Sequence, residues 1–264
     1  MVATYLDRIL AAHRATAAAD ARPVEPLLEA AREVAGARGF RASLAEVDGL
    51  GVISEVKRRS PSKGALAVDL DPAAVAGAYE AGGATCLSVL TDREFFGGSV
   101  DDLAAARSAV SLPVLRKDFT VEARDVCDAR IMGADAVLLI AAGLDQSELA
   151  DLHALAGEVG LDALVEIHDE LELERAMAVG ASLVGVNQRD LVTFVVDTDR
   201  AVRMAPLMPT GVVRVAESGV AGPADAQRLA DAGYHAVLVG ESLVTDPDPR
   251  AAVARLRAIR AADR

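Results

Sequence analysis

Apolar segments and amphipathic helical segments alternate along the chain from Gly51 onward. Each repeat has a short continuous apolar run, a loop, an Ala-rich helical pattern and, in several cases, a glycine. Continuous apolar runs are typical of parallel strands that are buried on both faces. The predicted strands span residues 52–57, 86–91, 114–118, 136–141, 163–168, 183–187, 212–217 and 236–239. The helices after them are predicted to begin near Pro72, Val100, Glu122, Gln146, Asp169, Thr198, Pro223 and Pro249.

These eight strand–helix units predict an α/β fold, the (β/α)8 TIM barrel. The competing doubly wound open sheet usually carries a GxGxxG turn after its first strand, and this chain has none there. Glycines that end predicted helices should adopt a positive φ and turn the chain back toward the sheet. They are Gly83, Gly133, Gly160, Gly180 and Gly233.

The segment before Gly51 fits no strand–helix unit. The first twenty residues have helical spacing, and a second helical pattern ends near Gly36 to Gly39. We therefore predict one domain over residues 1–264, with an N-terminal helical extension (1–48) packed on a barrel (49–264).

Charge and cysteine content exclude several classes of protein. The net charge of −13 argues against a nucleic-acid or anionic-membrane surface. No apolar run approaches the roughly 18 residues of a membrane span, and Asp7 and Arg8 interrupt any signal-peptide pattern. Cys86 and Cys127 are expected to be buried thiols, with neither a disulfide nor a metal site. We expect a cytoplasmic protein.

Charged and polar residues collect at the carboxyl ends of the predicted strands, where barrels place their chemistry. They are Glu55 and Lys57 on strand one, Lys117 and Asp118 on strand three, Glu166 on strand five, Asn187 and Arg189 on strand six, Glu217 and Ser218 on strand seven, and Gly240 and Glu241 on strand eight. A single such charge is ordinarily a solvated strand end. Lys57, Lys117 and Glu166 all belong to odd-numbered strands, which share layers in the barrel, so we expect them to converge on one pocket.

Small residues begin the loops after strands seven and eight, in the segments ESGVAG and VGESL. In barrels these two loops commonly bind phosphate through backbone N–H groups. The sequence therefore predicts a phosphate site there.

The motifs EVKRRSPSKG, LRKDF, LVEIH, VGVNQRDL, AESG and LVGESL occur in this order. Together with the helical extension, they resemble the indole-3-glycerol-phosphate synthase family over the whole chain. The resemblance implies a TIM-barrel carboxy-lyase of tryptophan biosynthesis. It would close 1-(2-carboxyphenylamino)-1-deoxyribulose 5-phosphate to indole-3-glycerol phosphate, with release of CO₂ and water. No cofactor and no metal are implied.

The resemblance also implies catalytic roles. Lys117 corresponds to the general acid that protonates the substrate carbonyl oxygen, and Glu166 to the carboxylate of the later dehydration. Glu55 resembles the partner that holds Lys117, and Lys57 the lysine near the phosphate and the leaving hydroxyl. Asn187 and Glu217, with Ser218, match the polar residues that fix the sugar hydroxyls.

Substrate-binding residues follow from the same resemblance. Those matching the pocket around the anthranilate part are Ser60, Pro61, Phe96, Phe119, Arg189 and Leu191. Those on the phosphate loops are Gly219, Gly240 and Glu241. Glu241 stands where relatives often have Ser; if its backbone N–H is what binds the phosphate, its carboxylate must point away.

The histidines are predicted to be structural. His13, His153 and His235 are expected to be solvated or to cap helices, and His168 is expected to point to the strand face opposite Glu166.

Two other functions remain open from the residues alone. One is another phosphosugar-binding barrel, such as an aldolase in which Lys117 or Lys57 forms a Schiff base. The other is a catalytically silent barrel that serves as a binding subunit. The expected partner is a small phosphorylated substrate, with no nucleic acid and no membrane. We expect a monomer, and contact with other tryptophan-pathway enzymes stays open.

Overall fold

The computed structural model of the chain describes residues 4–260. Eight parallel strands form a closed barrel in which each strand pairs with its neighbours in sequence, and the first strand pairs with the last. The strands are β1 (Gly51–Val56), β2 (Cys86–Leu90), β3 (Val114–Lys117), β4 (Ala136–Ile140), β5 (Asp162–Ile167), β6 (Leu183–Asn187), β7 (Val213–Glu217) and β8 (Ala236–Val239). The (β/α)8 prediction is confirmed, and each predicted strand boundary lies within one residue of the observed one.

Twelve α-helices occur in the described part of the chain. They are α1 (Tyr5–Ala19), α2 (Val24–Glu33), α3 (Phe40–Glu46), α4 (Pro72–Ala81), α5 (Val100–Ala109), α6 (Ala123–Ile131), α7 (Gln146–Glu158), α8 (Glu170–Ala178), α9 (Arg200–Met204), α10 (Pro223–Asp231), α11 (Glu241–Val244) and α12 (Pro249–Arg257).

Most predicted helix starts agree with the structure. Glu122 and Asp169 are N-cap residues, so α6 and α8 begin one residue later than predicted. The helix expected near Thr198 begins at Arg200. The short helix α11 and a two-stranded hairpin (Arg59–Ser60 with Gly64–Ala65) were not predicted. Both are too short to show a hydrophobic period in the sequence.

The predicted helix-ending glycines have the expected backbone. The φ angles of Gly83, Gly133, Gly160, Gly180 and Gly233 lie between 78° and 91°. In this left-handed region a side chain is disfavoured, and glycine ends the helix without strain.

The N-terminal extension covers both ends of the barrel. Helix α3 was not predicted, and its Phe40 and Leu44 are fully buried in the cluster of side chains inside the barrel. Nearby, the backbone N–H of Arg41 donates to Asp162, at the amino end of β5. Helix α1 lies at the opposite end, where it borders the carboxyl ends of the strands. Helix α2 packs against α6.

Cys86 and Cys127 are buried free thiols, as predicted. Within residues 4–260 no helix is long and apolar enough to cross a bilayer.

Candidate active site

A cavity of about 730 Å³ opens at the carboxyl ends of the barrel strands. Every residue that the sequence singled out for the site lines it. These are Glu55, Lys57, Ser60, Pro61, Phe96, Lys117, Phe119, Glu166, Asn187, Arg189, Leu191, Glu217, Ser218, Gly219, Gly240 and Glu241. The structure thus brings the whole predicted set into one place.

The lysines of the chain are concentrated in this cavity. The sequence has lysine only at positions 57, 63 and 117, whereas its other cationic residues are arginines. Lys57, Lys63 and Lys117 all line the cavity. A flexible primary ammonium is suited to transferring a proton, which an arginine of much higher pKa does poorly.

Lys117 lies at the end of β3 between two buried carboxyl groups. Its Nζ is 3.2 Å from Glu166 Oε2 and 3.8 Å from Glu217 Oε2. Burial alone would lower the pKa of Lys117, but the charges of Glu166, Glu217 and Glu55 raise that pKa well above its ordinary value. Lys117 is therefore held as an ammonium ion that points into the cavity.

Glu166 is ionised in this arrangement. It is 1% exposed, and its Oε1 accepts a hydrogen bond of 3.1 Å from Asn187 Nδ2. Burial would raise the pKa of Glu166, but Lys117, His168 and the Asn187 hydrogen bond lower it overall. The carboxylate can therefore accept a proton at neutral pH.

The pKa of Glu217 is shifted in the opposite direction from that of Glu166. Burial and the nearby charge of Glu166 raise the pKa of Glu217 well above its usual range, so this carboxyl group holds a proton more readily than Glu166 does. Its Oε1 is buried and has no hydrogen-bond partner. A Cβ added at Gly185 of β6 would lie 2.1 Å from that oxygen, so the glycine leaves the room that Glu217 occupies. Two neighbouring carboxyl groups with pKa values shifted apart are typical of acid–base sites.

Glu55 pairs with Lys57, not with Lys117 as the resemblance implied. The two side chains lie on the same face at the end of β1, and the Glu55 backbone oxygen accepts from Tyr79 Oη at 3.2 Å. Glu55 acts on Lys117 only through its charge. A Cβ at Gly240 would lie 2.2 Å from Glu55 Oε2 and 2.8 Å from Lys57 Nζ. The absence of a side chain at Gly240 is what admits the pair.

The loops after β7 and β8 form the other end of the cavity. Ser218 has a φ of 66° and Gly219 a φ of 76°, an uncommon backbone for a serine. Gln188 Nε2 holds this turn by donating to the Ser218 carbonyl at 2.7 Å. Ser242 Oγ donates to the Val220 carbonyl at 2.9 Å and joins the two loops. Strain stabilised by neighbours in this way is common at binding sites.

Glu241 begins helix α11, whose first-turn N–H groups have no acceptor within the helix. Its carboxylate lies 3.4 Å from Lys63 Nζ, and the side chain is 42% exposed. The carboxylate is therefore turned to the loop lysine and to solvent.

Aromatic side chains form the wall of the cavity that lies opposite the loops after β7 and β8. The rings of Phe96 and Phe119 lie 6.2 Å apart and are tilted by 37°. Arg189 is held by its NH1 donating to the Phe194 carbonyl at 3.2 Å, and its backbone N–H donates to Asn187 Oδ1 at 3.0 Å. A flat aromatic ring and an anionic group can both be bound here.

Helix α1 contributes residues that sequence reasoning did not place in the site. Tyr5, Leu6 and Ile9 line the cavity. The Tyr5 ring also makes edge contacts with Phe95 and with Phe194, at centroid distances of 5.9 and 5.4 Å. The apolar face of α1 was visible in the sequence, but the surface that this face covers was not.

His13 is not solvated, contrary to the sequence-based expectation. Its Nε2 lies 2.9 Å from Asp92 Oδ2 and 3.7 Å from Asp118 Oδ1. These three side chains have ligand atoms within 4.8 Å of one another, as a metal site would require. However, Asp92 Oδ1 accepts the backbone N–H groups of Phe95 and Phe96, so this carboxylate is already occupied in holding a loop. The cluster is explained as an ion pair.

His168 also differs from its prediction. It follows the last residue of β5, and its Nε2 lies 3.6 Å from Glu166 Oε1. The prediction that it faces away from Glu166 was wrong because residues 166 and 168 are two apart and project to the same side of a strand.

Comparisons with known proteins agree with this geometry. The family model described as indole-3-glycerol phosphate synthase matches residues 6–256. The chain is 53% identical over 232 residues to the indole-3-glycerol phosphate synthase of a Nocardioides species, covering 83% of this chain and 89% of that protein. It is 51% identical over 256 residues to the enzyme of that name from Mycolicibacterium vanbaalenii, covering 96% and 94%.

A solved structure of low sequence identity supports the fold, and only the fold. It is a thiamine phosphate pyrophosphorylase from Pyrococcus furiosus, with a TM-score of 0.60, 16% identity and coverage of 79% of this chain and 94% of that chain.

Proposed function

The chain belongs to the indole-3-glycerol phosphate synthase family, and from that premise we propose how its cavity carries out the reaction. The protein is a carboxy-lyase of tryptophan biosynthesis. It closes 1-(2-carboxyphenylamino)-1-deoxyribulose 5-phosphate to indole-3-glycerol phosphate and releases CO₂ and water. The roles of individual residues are our proposal.

Lys117 donates the first proton. Ring closure requires an acid at the ketone oxygen while the carboxyl-bearing ring carbon attacks the ketone carbon. Contact with Glu166 and Glu217 holds Lys117 as an ammonium ion, so it can serve as that acid. The carbon–carbon bond forms, the carbonyl becomes a hydroxyl group, and loss of CO₂ restores the aromatic ring. This ion pair in the cavity is the observation that carries the proposal.

Glu166 and Lys57 serve the dehydration. The hydroxyl group must leave as water with a second proton, while a C–H proton is removed from the adjacent CH₂ group. Glu166, ionised and 3.2 Å from Lys117, is placed to accept that proton. Lys57, paired with Glu55, is a second ammonium group and can supply the proton for the leaving water.

The phosphate binds at the loops after β7 and β8. Gly219, Gly240 and Glu241 would offer backbone N–H groups, and Lys57 would offer charge. The anthranilate ring then lies against Phe96, Phe119, Leu191 and Pro61, with Ser60 and Arg189 near its carboxylate. Asn187, Glu217 and Ser218 lie between the two ends, where the sugar hydroxyls would be.

A Schiff-base mechanism is disfavoured by the same contacts. A lysine nucleophile must be a neutral amine, and the raised pKa of Lys117 opposes this. Borohydride treatment during turnover should therefore leave the chain unmodified. Since only three lysines exist, peptide mass spectrometry can check every possible site.

Lys117→Met tests the central role. Methionine keeps most of the side-chain volume but lacks the ammonium group that donates the proton, so we expect turnover to fall by at least about 10²-fold. Product formation is followed by indole fluorescence. Lys63→Met, at the exposed cavity rim, is the matched control and should keep most of its turnover. Near-parental turnover of Lys117→Met would disprove the assignment.

The location and assembly of the protein are also proposals. We propose a cytoplasmic monomer, and contact with other enzymes of the tryptophan pathway stays a prediction. The −13 net charge favours solubility, and no membrane-spanning helix is found in residues 4–260. Analytical ultracentrifugation at micromolar concentration tests the assembly state.

A further inference from the structure

Gln188 is a buried side chain that no step of the proposed reaction uses. It follows Asn187, the last residue of β6, and is 1% exposed. Its Nε2 donates to the Ser218 carbonyl at 2.7 Å, whereas its Oε1 is buried and has no hydrogen-bond partner. A buried oxygen that stays unpaired costs free energy, so the presence of this amide calls for an explanation.

The backbone of Gln188 already connects the neighbouring segments without the side chain. Its N–H donates to the Glu217 carbonyl at 2.9 Å, and its carbonyl accepts from the Asp197 N–H at 2.8 Å. The first bond joins the end of β6 to β7, and the second closes the loop after β6. The side-chain amide is therefore not needed to hold the two strand ends together, and within residues 4–260 its hydrogen bond goes to the turn after β7.

That turn has a backbone that its neighbours must hold in place. The φ angles of Ser218 and Gly219 are 66° and 76°, both in the left-handed region, which is costly for a serine. A Cβ added at Gly219 would lie 2.7 Å from Val196 Cγ1 and 3.4 Å from Gln188 Nε2. The turn therefore lies directly against the loop after β6, and Gln188 is the side chain there that bonds to its backbone.

The same hydrogen bond fixes the direction of the next N–H group. The peptide bond between Ser218 and Gly219 is trans, and the C=O and N–H of a planar trans peptide point in opposite directions. Since the Ser218 carbonyl points toward buried Gln188, the Gly219 N–H points away from it. Gly219 lines the cavity, and its N–H donates to no acceptor within residues 4–260. A free backbone N–H beside an open cavity is suited to binding an anion.

We propose that Gln188 is a positioning residue for the substrate phosphate, because its hold on the Ser218 carbonyl turns the Gly219 N–H toward that group. Gln188 does not touch the phosphate and acts through the peptide between Ser218 and Gly219. The reverse orientation of the amide would place two acceptor oxygens against each other, so Nε2 must face the carbonyl. Oε1 is then left unpaired because only the donor half of the amide is used. The inference rests on the proposed phosphate site at the loops after β7 and β8.

Gln188→Met tests the role, because methionine has a similar length but no donor. Inorganic phosphate is the probe for the two loops, and its inhibition constant should rise about tenfold when the N–H that binds it is no longer held in place. The KM of the substrate should rise by a similar factor. The kcat should stay within about twofold, because the phosphate is bound equally in the ground state and the transition state. Inhibition by anthranilate, the probe for the aromatic wall, should not change.

Gln146→Met is the matched control. Gln146 also donates its Nε2 to a backbone carbonyl, that of Arg175 at 3.3 Å, but it begins α7 outside the cavity. The same substitution there should change neither inhibition constant nor the KM.

Gln188→Glu gives a second readout that a side chain with a purely space-filling role would not show. Burial raises the pKa of a carboxyl group, and its protonated form can donate to the Ser218 carbonyl as the amide does. The ionised form cannot donate. The inhibition constant for phosphate, divided by that of the parent at the same pH, should be within about twofold of one at pH 6 and should rise to about tenfold at pH 9. Division by the parental value removes the titration of phosphate itself.

Two results would overturn the role of Gln188. One is an unchanged inhibition constant for phosphate in Gln188→Met. The other is an equal weakening of phosphate and anthranilate, which would indicate a general loosening of the cavity. A failure of the underlying phosphate site is seen separately, because phosphate would then not compete with the substrate even in the parent, and the inference would fall with that site.

Discussion

His13 Nε2 lies 2.9 Å from Asp92 Oδ2, and this contact joins the N-terminal helix α1 to the loop that carries Phe96. The same histidine ring lies 5.4 Å from the ring of Phe119. Both phenylalanines belong to the aromatic wall of the cavity. Helix α1 is therefore fastened directly to the part of the site where the anthranilate ring should bind.

The contact predicts pH-dependent stability. Burial would lower the pKa of His13, but Asp92, Asp118 and Asp125 raise it above 6.5 overall. A raised pKa in the folded state contributes stability that is complete below about pH 6.5 and is lost as the pH rises through the folded-state pKa. We expect His13→Gln to lose about 1.5–3 kcal/mol of unfolding free energy at pH 6, and less at pH 9. Urea unfolding at both pH values measures this.

His153→Gln is the control for that series. Burial lowers the pKa of His153, so its protonation opposes folding as the pH falls. Replacing His153 should therefore raise the free energy of unfolding at acidic pH relative to the parent. Parallel pH trends in the two variants would contradict the role assigned to His13.

Gly240→Ala should disrupt the Glu55–Lys57 pair. The new Cβ would lie 2.2 Å from Glu55 Oε2 and 2.8 Å from Lys57 Nζ, so the pair must move. We expect kcat/KM to fall by about 10²-fold, because a displacement of about 1 Å in a catalytic arrangement has that effect. Steady-state kinetics with the natural substrate gives the value.

Gly77→Ala is the matched control for Gly240→Ala. It adds the same methyl group within helix α4, where the new Cβ meets nothing within 4 Å. Activity should stay at the parental level, and stability should rise by up to about 1 kcal/mol. Equal losses in both alanine variants would show that the Gly240 effect is unspecific.

Gly185→Ala should act through Glu217. The added Cβ would lie 2.1 Å from Glu217 Oε1 and 3.3 Å from Leu164 Cδ1, inside a packed barrel. Displacing this carboxyl group should weaken substrate binding and raise KM by about tenfold, and overpacking should cost about 1–3 kcal/mol of stability. Gly157→Ala, whose Cβ meets nothing within 4 Å, is the control. An unchanged KM in Gly185→Ala would argue against a substrate contact by Glu217.

Glu241→Ser should improve phosphate binding slightly. The carboxylate is 42% exposed and is paired with Lys63, so its repulsion of a nearby dianion is screened. An exposed charge contributes roughly 1 kcal/mol or less, and we expect KM to fall by no more than about fivefold. The gain should disappear at high salt. A rise in KM would indicate that the Glu241 side chain itself contributes to binding.

The sequence alone determined the barrel and the composition of its site. Continuous apolar runs separated by helical patterns predict parallel strands, and charges such as Lys117 and Glu166 follow those runs directly. Parallel strands bring their carboxyl ends to one edge, so the strand-end residues of the site could be predicted without knowing any distance. The pocket residues outside the strand ends, such as Phe96 and Phe119, came from the resemblance to the family.

Tertiary structure decided which side chains meet. Glu55 pairs with Lys57 while Lys117 pairs with Glu166, because these contacts depend on the stagger of the closed barrel and on the space left at Gly240. His13 reaches Asp92 from 79 residues away, across a fold that brings α1 over the strand ends. Contacts between distant segments depend on packing of the whole chain and leave no local period in the sequence. The local pattern therefore specified the elements and their chemistry, and packing specified the partners.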